Sequence, residues 1–244
     1  MLRASLGAIA TAICLVQQAI PLPAGWKVVH PARYMSLEWE CLNQRLIPYR
    51  VSMDSSGSRL TIAAAKEDDF LADSLPFSDG KLVSHDLGEF GGDVTWQPTV
   101  GSATRILTGN PVHLEPRNDT VLVFDGLAHL SFNYGYLLAL TRRQGPWHVD
   151  TLGSLGYAPA AVMRSSPSTY LVAAADALLL VTASGHVNVL RANQSWGGLY
   201  PTSVVRDRVG TVYVGARGAV FRVSNIGRST TEDWLAPDSS ACLK

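Results

Sequence analysis

Three groups of residues in this chain have the types and spacing to do chemistry. The first joins Asp86-Leu-Gly-Glu-Phe-Gly-Gly-Asp93 to the later run Asp125-Gly-Leu-Ala-His-Leu-Ser-Phe-Asn133. Asp86, Glu89, Asp125 and His129 titrate, so a fold that gathered them could run general acid–base chemistry. Glu89 and Asp93 could help to hold a cation, but Ca²⁺ takes about six to eight oxygens and the other ligands cannot be named. Polar side chains in solvated hairpin turns are the simpler reading of both runs.

The second group is Asn193-Gln-Ser-Trp-Gly-Gly-Leu-Tyr-Pro201. Trp196 and Tyr200 offer flat apolar faces with a polar edge, which suits sugars, peptides or aromatic ligands. Gly197 and Gly198 would let a backbone approach closely. The competing reading makes Trp196 a packing residue and the glycines shapers of a turn. The third group is Arg164 and Arg206, at matching positions in two repeats. They could line a channel and attract an anion, or they could form ion pairs at the surface or between repeats.

Known site motifs are missing. The chain has no P-loop, no G-x-G-x-x-G after a strand, no H-E-x-x-H and no G-x-S-x-G. Its 6 histidines are scattered. His85 and Asp86 are neighbours, and neighbours on a strand point to opposite faces. No metal or cofactor is expected.

The elements that must position these groups announce themselves by repetition. A β-rich run, a turn and a second β-rich run recur: Gly80–Asp86 then Gly92–Pro98, Thr120–Asp125 then Gly135–Thr141, Thr169–Ala174 then Ala177–Ala183, and Thr211–Ala216 then Gly218–Ser224. The second runs start at 92, 135, 177 and 218, at offsets of 43, 42 and 41. One supersecondary unit repeated at this period, with several strands per unit, predicts an all-β fold of the β-propeller type. The clearest unit reads as four strands: 160–164, 170–174, 178–182 and 186–191. The next reads as 203–206, 212–216, 219–223 and 231–235. Two earlier units would cover about 59–109 and 111–155. The remainder, with a strand candidate over 46–53 and a fair helix candidate over 32–46, makes a fifth blade or an N-terminal extension to four.

Composition sets the compartment and the partners. The 244 residues carry 20 basic and 20 acidic side chains, so nothing favours nucleic acid or an anionic membrane as the main partner. With 47% hydrophobic and 16% charged residues the chain can bury its own core. Met1-Leu-Arg3 followed by the apolar run Ala4–Val16 has the order of a secretory leader, too short to span a bilayer comfortably. Cleavage after Ala24 fits best, with Ala19 as the alternative. That divides the chain into a leader, 1–24, and one domain, 25–244, with no stable membrane span after cleavage. Cys41 and Cys242 remain, an even count that permits a disulfide in an oxidising compartment. Residue spacing cannot place them within bonding distance, but a ring closure that joins the two chain ends would.

The last repeat carries a resemblance. Val209-Gly-Thr-Val-Tyr-Val-Gly-Ala-Arg-Gly-Ala-Val-Phe-Arg-Val223 resembles the short repeat of two-component-regulator-type propellers, with Ala216 where that repeat has threonine. Most of the chain, including Trp196-Gly-Gly-Leu-Tyr-Pro201, is similar to exported bacterial β-propeller proteins. The resemblance implies a sensing surface and a periplasmic or secreted location; it transfers no catalytic residue. The expectation is therefore a recognition module that binds a protein, peptide or small ligand on its loop face, with Trp196, Gly197, Gly198, Tyr200 and Arg206 as contacts. The rival is a propeller hydrolase, lyase or cyclising acyltransferase using Glu89, Asp125, Asp86 and His129. Convergence of those carboxylates at one pocket would favour the enzyme.

Overall fold

The computed structural model describes residues 20–242, apart from 31, 33, 34, 45, 46, 67–71, 143, 144 and 228. The apolar run Ala4–Val16, expected to be a secretory leader, lies outside the described residues. Strands dominate. The segment Trp26–Val29 (β1) precedes one eight-residue helix, Leu37–Gln44 (α1), and a two-stranded hairpin, Tyr49–Met53 (β2) with Leu60–Ala64 (β3).

Four sheets follow in chain order, and all their neighbouring strands are antiparallel. The first contains Ala72–Phe77 (β4), Gly80–Asp86 (β5), Gly92–Pro98 (β6) and Thr104–Thr108 (β7). The second contains Pro111–Arg117 (β8), Thr120–His129 (β9), Phe132–Arg142 (β10) and Trp147–Ser154 (β11). The third contains Pro159–Ser166 (β12), Thr169–Ala174 (β13), Leu178–Thr182 (β14) and Val187–Arg191 (β15). The fourth contains Ser203–Arg206 (β16), Val212–Gly215 (β17), Val220–Ser224 (β18) and Thr231–Pro237 (β19), and β1 adds to its outer edge beside β19. The four repeated phrases are the paired second and third strands of these sheets.

The middle strands are near-continuous apolar runs because both faces are covered, and the two-residue period sorts their side chains between neighbouring sheets. Val121 and Val123 pack towards the first sheet with Leu82, Val94 and Trp96. Leu122 and Phe124 pack towards the third with Tyr170, Val172 and Val181. Leu171 and Ala173 turn the other way, onto Val212, Val214, Phe221 and Val223. Tyr213, Val220 and Leu235 then meet Val51 and Leu60 of the β2–β3 hairpin. Each sheet therefore stacks on the next in the order of the chain.

Two sequence expectations change. Residues 60–64 do not open the first four-stranded unit; they pair with β2, register Val51↔Ile62, because Leu60 and Val51 share a buried face on the fourth sheet. Within the helix candidate over 32–46 the described helix is α1, which starts only at Leu37 and is held by buried Trp39 and Leu42; residues 33, 34, 45 and 46 lie outside the described residues. The disulfide forms: Cys41 of α1 is bonded to Cys242 with Cα atoms 5.5 Å apart. Ile20 and Leu22 contact the cluster beneath the β2–β3 hairpin, so residues before Gly25 reach the fold. No helix among the described residues is long and apolar enough to cross a membrane.

Candidate functional site

In an antiparallel meander the turn from strand two to strand three and the connection to the next sheet lie at the same end. Backbone and side-chain hydrogen bonds link these loops from sheet to sheet. Asn110, between the first and second sheets, donates its side-chain amide to Asp86 Oδ1 at 3.2 Å, to Gly88 O at 2.5 Å and to Gly91 O at 3.2 Å. Its backbone N–H donates to Asp125 Oδ1 at 2.6 Å. Asn133 accepts from Ala158 N at 2.8 Å and donates to Asp176 Oδ1 at 2.9 Å. Gln194 N donates to Asp176 O at 2.8 Å, and Arg217 N to Leu199 O at 2.8 Å. Gly218 N donates to Ile47 O at 2.9 Å.

One hairpin stands out of this end. Strands β9 and β10 run 10 and 11 residues, whereas their counterparts β13 and β14 have 6 and 5. Cross-strand register puts His129 opposite Phe132, Leu127 opposite Tyr134 and Asp125 opposite Tyr136, so these six share one face of the extension. The other face lies against the start of the third sheet. There a Cβ on Gly135 would come within 2.3 Å of Tyr157 O and 2.7 Å of Pro159 Cδ, so only glycine fits.

Towards the tip the outward face is largely apolar and exposed. Phe132 is 61% exposed, Tyr134 and Tyr136 are each 40% exposed, and the two tyrosine rings lie 6.1 Å apart. The hairpin tip, Leu130, is 91% exposed and sits at φ 52°, a conformation that a bulky side chain rarely adopts. Strain of this kind is commonly retained at functional positions. Across the gap the turn after β5 presents Leu87 and Phe90, the latter 84% exposed. His129 Nε2 and Glu89 Oε2 meet at 2.8 Å and tie the two loops together.

All four residues singled out for acid–base chemistry are therefore at this end, but in two pairs with structural duties. Asp86 Oδ1 also accepts the Gly88 N–H at 2.9 Å, which shapes the turn. Burial pushes the Asp125 carboxyl above its ordinary range; the Asn110 N–H opposes this and the Asp86 carboxylate adds to it. Asp93 is engaged by His85 at 3.1 Å and Arg105 at 3.2 Å. Among the described residues no cluster of three or more His, Cys, Asp or Glu is arranged to hold a metal.

The second group disperses. Trp196 is fully buried, its ring 5.4 Å from Phe221 and its indole N–H donating to Ala174 O at 3.0 Å. It presents no face to a ligand; it is a packing residue between the third and fourth sheets. A Cβ on Gly197 would meet nothing closer than 3.6 Å, so no close approach requires that glycine, while Gly198 at φ 76° serves the turn. Tyr200 is the exposed aromatic of this group, with the Arg217 guanidinium 4.5 Å from its ring centre. Arg206 lies at the opposite end of β16 from this loop and cannot join Tyr200 in one contact surface.

A further charged network lies along the first strands of successive sheets. His113 Nε2 is 3.1 Å from Glu115 Oε2, and its Nδ1 is 3.6 Å from Asp73 Oδ2. Arg164 pairs with Glu115 and donates to Pro116 O at 3.0 Å. Burial lowers the His113 pKa; Asp73 opposes that and Arg164 reinforces it. Sequence reading missed Asp73, His113 and Glu115. Their alternation on first strands was the available signal.

No family model matches this chain, and no curated protein matches it. Among solved structures it is similar to the selenomethionine-substituted virginiamycin B lyase from Staphylococcus aureus, at 14% identity and a TM-score of 0.36. That match covers 85% of this chain and 58% of that one. At this level the likeness carries no inference about fold or activity.

Proposed function

We propose that this chain is an exported β-propeller that recognises a protein or peptide through the loop end of its sheets. Four four-stranded meanders, each stacked on the next in chain order, support the propeller arrangement. The β2–β3 hairpin supplies a fifth, two-stranded blade. The disulfide supports export, since such bonds persist in oxidising compartments. Burial of Ile20 supports leader removal after Ala19 rather than Ala24. N-terminal sequencing of exported protein decides this, Ile20 against Gly25.

One observation carries the binding reading. Leu87, Phe90, Leu130, Phe132, Tyr134 and Tyr136 are exposed on two loops tied by the Glu89–His129 pair. Soluble monomers rarely leave contiguous apolar surface uncovered without a use for it. Aromatic anchors with polar edges are the side chains that dominate protein interfaces. A photo-crosslinking residue at position 132 should give a discrete adduct in periplasmic extract. The same residue at 189, exposed on β15, is the control. Equal labelling from both positions would remove the reading.

A catalytic reading has one observation in its favour: Asp125, with its raised pKa, shares a face with His129 and Tyr136. If it acts as an acid, Asp125→Asn abolishes turnover and leaves partner capture intact. If the surface only binds, the variant changes neither.

A further inference from the structure

The opposite end of the sheets carries a different chemistry. A cleft of about 440 Å³ opens between the ends of β12 and β16, lined by Arg164, Ser165, Arg206, Asp207, Arg208 and Gly210 among others. That volume is in the range of small-molecule sites, roughly 300–1,000 Å³. Its charge is one-sided. Asp207, the one carboxylate in the lining, is 5% exposed and turned inward, accepting Val209 N at 3.0 Å and Thr211 N at 2.8 Å. Its charge is spent on holding the turn. Arg164 is fixed by Glu115 and Pro116 O, both through Nη2, which leaves the rest of its fork free.

Arg206 and Arg208 are exposed and have no ion pair or side-chain hydrogen bond among the described residues. The Arg206 guanidinium lies over Gly210, where a Cβ would come within 3.2 Å of Nη2. Gly210 sits at φ 93°, and its N–H bonds Asp207 O at 3.1 Å. The cleft lining thus brings together two arginines without a partner among the described residues and a third that Glu115 holds still.

We propose that this cleft binds an oxyanion of a small molecule, a phosphate or carboxylate group. Arg206 and Arg208 form the gripping pair and Arg164 is the fixed third donor. The planar guanidinium fork matches both anions in a bidentate way, which a lysine or an isolated surface charge does not. The site is independent of the loop end, and neither requires the other.

The test is calorimetric titration of the intact disulfide-bonded protein with pyrophosphate and, separately, with citrate. KCl at matched ionic strength controls for screening. At least one anion should bind saturably, and which one distinguishes a phosphate ligand from a carboxylate. Arg206→Gln and Arg208→Gln should each weaken it about tenfold or more, the usual effect of losing a charged hydrogen-bonding partner. Arg206→Lys should fall between parent and Arg206→Gln. Arg105→Gln, on the distant first sheet and paired with Asp93, should leave binding unchanged. Melting of each variant without anion shows that the fold is intact. The proposal is overturned if neither anion binds beyond the KCl control, or if both glutamine variants bind as the parent does.

Discussion

Glu89 Oε2 and His129 Nε2 stand 2.8 Å apart and join the turn after β5 to the tip of the β9–β10 hairpin. Both side chains are well exposed, and exposed pairs contribute about 0–1 kcal/mol. Glu89→Gln should therefore shift the melting temperature by no more than about 2–4 °C, the shift expected for about 1 kcal/mol in a chain of this size. Its effect belongs to order rather than stability. Amide exchange at residues 128–133 should speed up while the rest of β9 and β10 stays protected. A large global destabilisation would show that the pair belongs to the core and not to the recognition surface.

Trp196 gives the opposite result to a ligand contact. It is fully buried against Phe221 and its N–H is satisfied by Ala174 O. Trp196→Ala should cost about 3–5 kcal/mol, as buried tryptophan truncations do. Urea denaturation measures it; a loss below about 1 kcal/mol contradicts the packing role.

The Cys41–Cys242 bond closes a loop with a sequence separation of 201. The chain-entropy model gives about 5 kcal/mol for such a loop, an upper figure because real bonds commonly deliver less. Reduction should lower the denaturation midpoint substantially. Cys41→Ser and Cys242→Ser should match the reduced protein, and their effects should not add, since each removes the same bond.

Tyr213 is 1% exposed, and burial, with the Asp207 carboxylate beside it, pushes its pKa up to about 12. A raised folded pKa means that the contribution is fully present below the unfolded value near 10 and is lost as pH rises towards about 12. Tyrosinate absorbance should show this residue ionising later than the exposed tyrosines, or together with alkaline unfolding. Tyr213→Phe should remove the late component. A single transition near pH 10 in the folded protein argues against this burial effect.

His113 moves with the reverse sign. Its pKa is lowered, first by burial, so stability is present above the unfolded value near 6.5 and is lost as pH falls below it. His113→Gln should flatten the slope of stability against pH below about 6.5. An unchanged slope would place the acid sensitivity elsewhere.

The repeat was legible because a sheet covered on both faces writes itself as apolar runs, and identical stacking problems recur at a near-constant period. That was enough for strand order, for the middle pairs such as β13–β14, and for two cysteines at the chain ends. It was not enough for faces and neighbours. A tryptophan that binds and one that packs read alike in Trp196-Gly-Gly, since burial is set by Phe221 some 25 residues later. Phe132, Tyr134 and Tyr136 displayed their alternation openly, but only the extra length of β9 and β10 beyond their sheet leaves that face in solvent. Arg164 and Arg206 looked equivalent; tertiary structure gave one a partner in Glu115 of the neighbouring sheet and left the other beside Arg208. Local sequence encodes periodicity and turns because both are short-range. Exposure and charge pairing depend on which sheet arrives next, and that is decided only when the chain is stacked.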